Sequence, residues 1–290
     1  MKSGNHFINN LRRYVLIILF VIASIVWYGI LFETAHNKNL TLAFLDIGQG
    51  DSIFIEAPNG NQILIDGGSG AQILRKLGEV MPIYDREIDV VVATHPDKDH
   101  IGGLVDVINR FDVKYFIEPG IIGDTKIFKA LEDSVEAHHI KKIIAQRDMK
   151  IDLGGGAVLT VLYPDRDVTH IKNTNDGSIV ARLTYGDTSA ILTGDAPQFV
   201  EVRIVSLDGR NLKSNILKLG HHGSRTSTSA LFLGAIQPDY AIISAGLNNS
   251  YGHPHKEVMD LINKFKILPI GTYEKGTIVF KSDGEIIERQ

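Results

Sequence analysis

The chain contains no cysteine. Disulfides and thiolate metal sites are therefore excluded, and any metal must be held by nitrogen and oxygen ligands. It also lacks an excess of charge of one sign, with 30 Lys and Arg against 34 Asp and Glu and a formal net charge of −4. A protein whose main work is gripping nucleic-acid phosphates is usually clearly basic, so any nucleic-acid binding here is confined to a local patch. Neither a low-complexity segment nor a detectable repeat interrupts the chain. Hydrophobic residues at 44% and charged residues at 22% fit a globular chain and exclude a disordered or polytopic one.

Long apolar runs are scarce, with one exception. Tyr14 to Phe32 reads YVLIILFVIASIVWYGILF, uncharged and close to the ~20 residues that cross a hydrocarbon core. A buried core helix is the plain alternative, but such a helix rarely opens a chain and is rarely apolar all round. Lys2, Arg12 and Arg13 precede the run, and Glu33, His36 and Lys38 follow it. The positive-inside rule then keeps the N-terminus cytoplasmic and puts the remainder across the membrane. The run exceeds a signal-peptide apolar region and no A-x-A-like cleavage site follows it, which favours an uncleaved anchor. The expected organisation is a cytoplasmic segment 1–13, a transmembrane helix 14–32, a linker 33–39 and one extracytoplasmic domain 40–290. Roughly 250 residues is the upper end of what one core supports.

Beyond the linker the pattern changes to short strands. Leu40 to Ile47, Ser52 to Ala57 and Gln62 to Ile65 read as strands, with Pro58-Asn59-Gly60-Asn61 as the clearest hairpin turn. A helix is expected over Ala71 to Val80, then a buried strand over Val90 to Ala93, a helix near Leu104 to Phe111 and another over Lys126 to Ala137. The second half continues with strands such as Val158 to Tyr163, Ser178 to Tyr185, Ser189 to Thr193, Asn215 to Leu219 and Tyr240 to Ser244. Helices near Phe199 to Leu207, Ser229 to Ala235 and Lys256 to Phe265 lie between them. Many hairpins interrupted by helices predict an α/β fold of two mixed sheets packed together with helices outside, not a doubly wound parallel sheet.

The chemistry sits at strand ends. In His95-Pro96-Asp97-Lys98-Asp99-His100, four potential ligands fall within six residues, just after an apolar strand and before Gly102-Gly103. A strand points alternate side chains to opposite faces, so these four meet only if the chain curls, which the proline and glycines permit. A solvated loop with a helix cap is the plain reading of this run alone. The same ending recurs at Ile65-Asp66-Gly67-Gly68, at Thr193-Gly194-Asp195, at Gly220-His221-His222-Gly223-Ser224 and at Tyr251-Gly252-His253-Pro254-His255. Each alone is an ordinary turn. Together they describe one rim of a sandwich lined with ligands.

These motifs in this order resemble the metallo-β-lactamase superfamily, and within it the hydrolase domain of the ComEC/Rec2-type competence proteins. Three details select that branch: Leu45-Asp46-Ile47-Gly48-Gln49-Gly50-Asp51-Ser52; Asp97 where most of the superfamily has a second histidine; and Asn175-Asp176-Gly177-Ser178 where many members supply another. The resemblance runs from about Leu40 to the C-terminus. It implies a four-layer αβ/βα sandwich and two divalent ions, zinc or manganese. It makes His95 and Asp97 ligands of one ion and Asp99, His100 and His221 ligands of the other, with Asp195 bridging. Asp66 and Asp46 would support the ligands from behind. ComEC proteins carry a many-helix channel region and this sequence has one span, so it resembles a free-standing relative of the hydrolase domain.

Such a centre implies hydrolysis by a hydroxide bridging two ions about 3.5–4 Å apart. Asp99 or Asp195 is placed to accept the water's proton, and His222, His253 or His255 to donate one to the leaving oxygen. Asn175, Ser178, Ser224 and Arg225 are candidate substrate contacts. Between His221 and His222 the former is preferred as ligand, with His222 facing the cleft. The expected activity is a phosphodiesterase or nuclease, with DNA as one candidate substrate. A hydrolase of a small phosphoester or a cell-envelope component ranks second, and a non-catalytic membrane-anchored binding module third.

Overall fold

In the computed structural model, which describes residues 3–36 and 39–290 (side chains of 11–28 and 39–290), the chain divides into two units, 1–38 and 39–290. The first is helix α1 (Ser3–His36). Within it Leu11–Tyr28 has a mean hydropathy of 1.8 and is long and apolar enough to cross a membrane. The expected span 14–32 lies inside this helix; Lys2 and Lys38, used to orient it, lie outside the described residues.

In the second unit, strands β1 (Leu40–Phe44), β2 (Ile53–Glu56) and β3 (Gln62–Ile65) run antiparallel, the last two joined through the expected Pro58–Asn61 turn. Strands β4 (Glu87–Val92), β5 (Asp112–Glu118) and β6 (Lys141–Ile144) then continue parallel to β3. A second sheet follows. Its antiparallel part is β7 (Lys150–Gly154), β8 (Ala157–Tyr163), β9 (Val180–Tyr185) and β10 (Thr188–Leu192); β11 (Ile216–Lys218), β12 (Tyr240–Ile243) and β13 (Leu268–Gly271) extend β10 in parallel. Strands β14 (Ile278–Ser282) and β15 (Ile287–Arg289) return to β1 and complete an eight-stranded first sheet beside the seven-stranded second.

Helices cover both outer faces. They are α2 (Gln72–Val80), the single turn α3 (Lys98–Ile101), α4 (Leu104–Arg110) and α5 (Lys126–Ala137) on the first sheet, with α6 (Gln198–Asp208), α7 (Ala230–Ile236), α8 (Lys256–Lys264) and the short α9 (Thr272–Lys275) on the second. The strand period of two sorts the side chains. Leu40, Leu42 and Phe44 of β1 enter the core between the sheets, whereas Ala43 faces the helix side with Leu77, Leu104 and Leu131. Leu192, Ile216 and Ile242 meet the first group from the second sheet, and their neighbours Ile191, Leu217 and Ile243 pack under α6 to α8. Strands covered on both faces read as near-continuous apolar runs, which is why these lack clean alternation in the sequence.

The architecture is thus the expected four-layer αβ/βα sandwich. Its parallel strands β3, β4, β10, β11 and β12 place Asp66, His95, Asp195, His221 and the segment leading to His253 after their C-terminal ends. Two strands escape the sequence reading. β7 is a half-exposed edge strand that ends in the first of three consecutive glycines of positive φ, and β15 has three residues.

Candidate metal centre

On the first rim, the run after β4 forms a helical turn. Asp97 stands at the N-cap of α3 without capping it; its carboxylate instead accepts from Thr174 Oγ1 at 2.6 Å. The glycines that follow have ordinary helical angles. They are required for close approach and not for the curl, since a Cβ on Gly103 would collide with the carbonyl oxygen of Gly67.

Asp66 wires this loop from behind. It accepts from Thr94 N at 2.8 Å and Thr94 Oγ1 at 2.7 Å, and lies 2.8 Å from His100 Nδ1. A carboxylate only accepts, so the His100 proton is on Nδ1. Thr94 has one hydroxyl proton and gives it to Asp66, so His95 Nδ1, 3.0 Å from Thr94 Oγ1, must donate to it. With Nδ1 of each ring spent on this wiring, both fully buried imidazoles turn Nε2 toward the site.

The second rim works differently. Asp195, 3% exposed, follows β10, and its backbone N–H donates to Ser178 Oγ at 3.4 Å. After β11, His221 (φ 48°) and His222 (φ 58°) are consecutive left-handed residues, a conformation that costs non-glycine residues about 1–3 kcal/mol each. It abolishes the strand alternation expected to split the pair, and both rings turn inward. His221 Nε2 lies 3.7 Å from Asp195 Oδ2. His222 Nε2 lies 3.5 Å from the same oxygen and 3.3 Å from Asp99 Oδ2. His95 Nε2 is 3.9 Å from Asp195 Oδ2, and His100 Nε2 is 3.4 Å from Oδ1.

The electrostatics of this cluster fit a cation. Among the described residues His95 Nε2, His100 Nε2, His222 Nε2 and Asp195 Oδ1 are buried without a hydrogen-bond partner. Asp51, His100, Asp195 and His222 each bring one ligand atom within 4.8 Å of the others. Leaving such groups buried and unpaired is costly, and a divalent ion satisfies them together. Burial opposes the charge of Asp195, yet His222 and His100 hold its carboxyl well below the usual range. Burial opposes the charge of His222 too, but Asp195 and Asp51 raise it to about 9. Burial, with His100 beside it, lowers His95 to about 4.

Of the expected residues, His95, Asp97, Asp99, His100, Asp195, His221 and His222 converge. His222 was expected to face the cleft and is instead 1% exposed, because the left-handed turn folds it beneath His221. His253 lines the mouth, its ring 5.4 Å from that of His221, and His255 lies 4.9 Å from His253. His255 Nδ1 accepts from Arg225 N at 3.2 Å and thereby ties the two loops together.

Three expectations need correction, those for Asp46, Ser178 and Ser224. Asp46 does not reach the site: its carboxylate accepts from Gly48 N at 3.4 Å and faces Lys76 at 3.9 Å. Ser178 is wholly buried under Asp195, and Ser224, 3% exposed, accepts from Thr226 Oγ1 at 3.0 Å; both shape loops and neither offers its hydroxyl to a substrate. The exposed Arg225 guanidinium faces Glu257 at 3.7 Å. Asn175 stays beside the loop that holds Asp97, with its Oδ1 buried and unpartnered among the described residues.

Other residues were missed. Thr94 and Thr174 orient ligands, and Asp51 faces His222. Lys218, wholly buried, pairs with Asp51. Tyr251, 64% exposed, stacks on His253 with ring centroids 5.7 Å apart. The signal for Lys218 was a lysine inside the apolar run Ile216-Leu217-Lys218-Leu219.

Sandwich and ligand rim define a class, and a family model described as the metallo-beta-lactamase superfamily matches residues 45–246: the chain belongs to that superfamily, a fold of metal-dependent hydrolases. Its domain is of the ComEC type. ComE operon protein 3 of Bacillus subtilis is 33% identical over 261 residues, covering 82% of this chain and 32% of that protein. Recombination protein 2 of Haemophilus influenzae is 30% identical over 275 residues, covering 93% and 32%. The chain thus spans about a third of the length of these relatives. In fold it is similar to Igni18, a metallo hydrolase of Ignicoccus hospitalis, with a TM-score of 0.54 at 15% identity over 83% of this chain and 98% of that one.

Proposed function

We propose that the chain is a membrane-anchored phosphodiesterase with a two-ion centre, acting on DNA. The observation that carries this reading is the placement of Asp195, whose carboxylate lies within 4 Å of four imidazoles from both rims. Asp195 would be the ligand shared by the two ions. His95, Asp97 and His221 would hold one, and Asp99, His100 and His222 the other. His221 thereby supplies the nitrogen that the superfamily usually takes from the region of Asn175. Three carboxylates in the set admit manganese beside zinc.

When bound, two divalent ions lower the pKa of water and neutralise charge growing on phosphate oxygens. The protein's own groups do the rest. Asp99, which His222 holds below the usual carboxyl range against the effect of burial, is a carboxylate at neutral pH and would give the ion an anionic oxygen donor. Burial, then the neighbouring His222 and His221, lower His253 to about 4, so it is neutral at pH 7 and gives the leaving oxygen a hydrogen bond. Tyr251, stacked on His253 at the mouth, is an aromatic platform of the kind on which nucleobases stack. A relative named for recombination favours DNA over small phosphoesters. Helix α1 is the anchor, with segment 1–13 cytoplasmic, 14–32 in the membrane, 33–39 a linker and the domain 40–290 outside.

The test uses the full chain in detergent with added manganese or zinc, against single- and double-stranded DNA and a chromogenic phosphodiester. DNA cleavage that is lost on chelation and in Asp195→Ala is expected. Two bound ions with no turnover of any phosphodiester would overturn the reading.

A further inference from the structure

Asp51 reaches the centre from the turn between β1 and β2. A Cβ on Gly50 would collide with the carbonyl oxygen of Asp99, so only glycine lets this turn lie against the metal loop. Asp51 N then donates to Asp99 O at 3.3 Å, and Ser52 Oγ to Asp66 O at 3.0 Å. By proximity alone the Asp51 carboxylate qualifies as a metal ligand, being grouped within 4.8 Å of ligand atoms of His100, Asp195 and His222.

Its two oxygens are engaged from another side. Oδ2 pairs with Lys218 Nζ, and Oδ1 approaches His222 Nδ1 to 3.2 Å as an ion pair, neither of these last two atoms having a hydrogen-bond partner among the described residues. Oδ2 is also 4.0 Å from His100 Nδ1. These are the nitrogens that face away from Asp195, whereas Nε2 of each ring faces it. Asp51 therefore stands behind the imidazoles. Lys218 is 0% exposed on β11, and its ammonium also donates to Gly194 O at 3.5 Å, in the turn that carries Asp195. Burying a full ammonium is costly without a partner. Here it supplies a fixed positive charge that occupies one Asp51 oxygen and ties a turn of the first sheet to a strand of the second.

Building on the two-ion reading, we infer that Lys218 is a positioning residue: it holds Asp51 out of the metal shell, so that Asp51 orients His222 from behind instead of binding metal itself. A carboxylate behind a ligand histidine fixes its tautomer and aim. Without the lysine, the same carboxylate is an unpaired anion a few ångströms from a divalent cation and becomes a competing ligand.

Lys218→Met, Asp51→Asn and the double variant test this in the full chain, by metal titration and by the visible spectrum after cobalt(II) substitution. Asp51→Asn should retain two ions and the wild-type spectrum while binding one ion about 10–100-fold more weakly. Lys218→Met should move the cobalt spectrum toward higher coordination number, and the double variant should lose that change. A folded Lys218→Met with wild-type spectrum and affinity overturns the inference and leaves the pair purely structural. Should Lys218→Met fail to fold, the double variant, which buries no unpaired charge, decides: it should fold with the Asp51→Asn phenotype, and wild-type affinity in it overturns the inference. Fewer than two ions in the wild-type chain overturns the two-ion reading and this inference with it. Two ions in the wild type with any of the contrary results above overturns the inference alone.

Discussion

The two rims that face each other across the centre are built on opposite plans. The first delivers His95, Asp97, Asp99 and His100 from one contiguous run, a bend leading into the single turn α3, with Asp66 and Thr94 setting both imidazole protons. The second gathers Asp195, His221, His222 and His253 from three separate loops, holds two of them in left-handed backbone, and uses a buried lysine to fix the carboxylate behind one ring. A contiguous run needs only local geometry to converge. Dispersed ligands need the sheet, the turn conformations and a charge buried in the core.

The sharpest way to break this comparison is at the residue both rims share. Asp195→Ala should lose most of both ions and reduce turnover to background; retention of two tightly held ions, measured by elemental analysis, would show that the rims do not meet there. Next in size is the paired histidine. His222→Ala and His221→Ala should each lose about one ion, with partial rescue of His221→Ala by excess metal because its side chain is 30% exposed. Full metal content in either variant removes that residue from the ligand set. Replacing His253 should leave metal content intact while lowering kcat by roughly 10²–10³, the range for losing one hydrogen-bond donor to developing charge. Loss of metal in that variant contradicts its placement at the mouth.

Smaller effects separate the wiring of the rims. Asp66→Asn should weaken metal binding by about 10–100-fold, as expected when a histidine loses the carboxylate behind it. Thr174→Val removes a single hydrogen bond to Asp97, worth about 1 kcal/mol, or roughly fivefold in affinity for one ion. Isothermal titration resolves both, and an effect of Thr174→Val as large as that of Asp66→Asn would mean that the first rim is less pre-wired than its hydrogen bonds indicate.

Legibility in the sequence follows the same divide. The strand Gln62–Ile65 and the helix Lys126–Ala137 are bounded as expected, because a hairpin turn and a Thr125 cap mark their ends locally. Asp46 resembled a supporting carboxylate only by its neighbours in the motif; the turn after β1 sends it to Lys76, and its companion Asp51 takes the inward place. Ser178 and Ser224 looked like substrate contacts because they adjoin site residues, yet each spends its hydroxyl on loop backbone or a neighbouring threonine.

Residue identities and their order determined the class of chemistry: the absence of thiols, the apolar strands that end in Asp, Gly and His, and the run His95–His100 require no tertiary information, since ligand type and near-neighbour spacing are properties of the chain itself. Only the folded sandwich decided which way each side chain points. The φ values at His221 and His222, the burial of Lys218 and the exclusion of Asp46 arise from the packing of one sheet's turns against the other. Free energies of burial and of cross-sheet charge pairing set those orientations, and both depend on residues far apart in sequence.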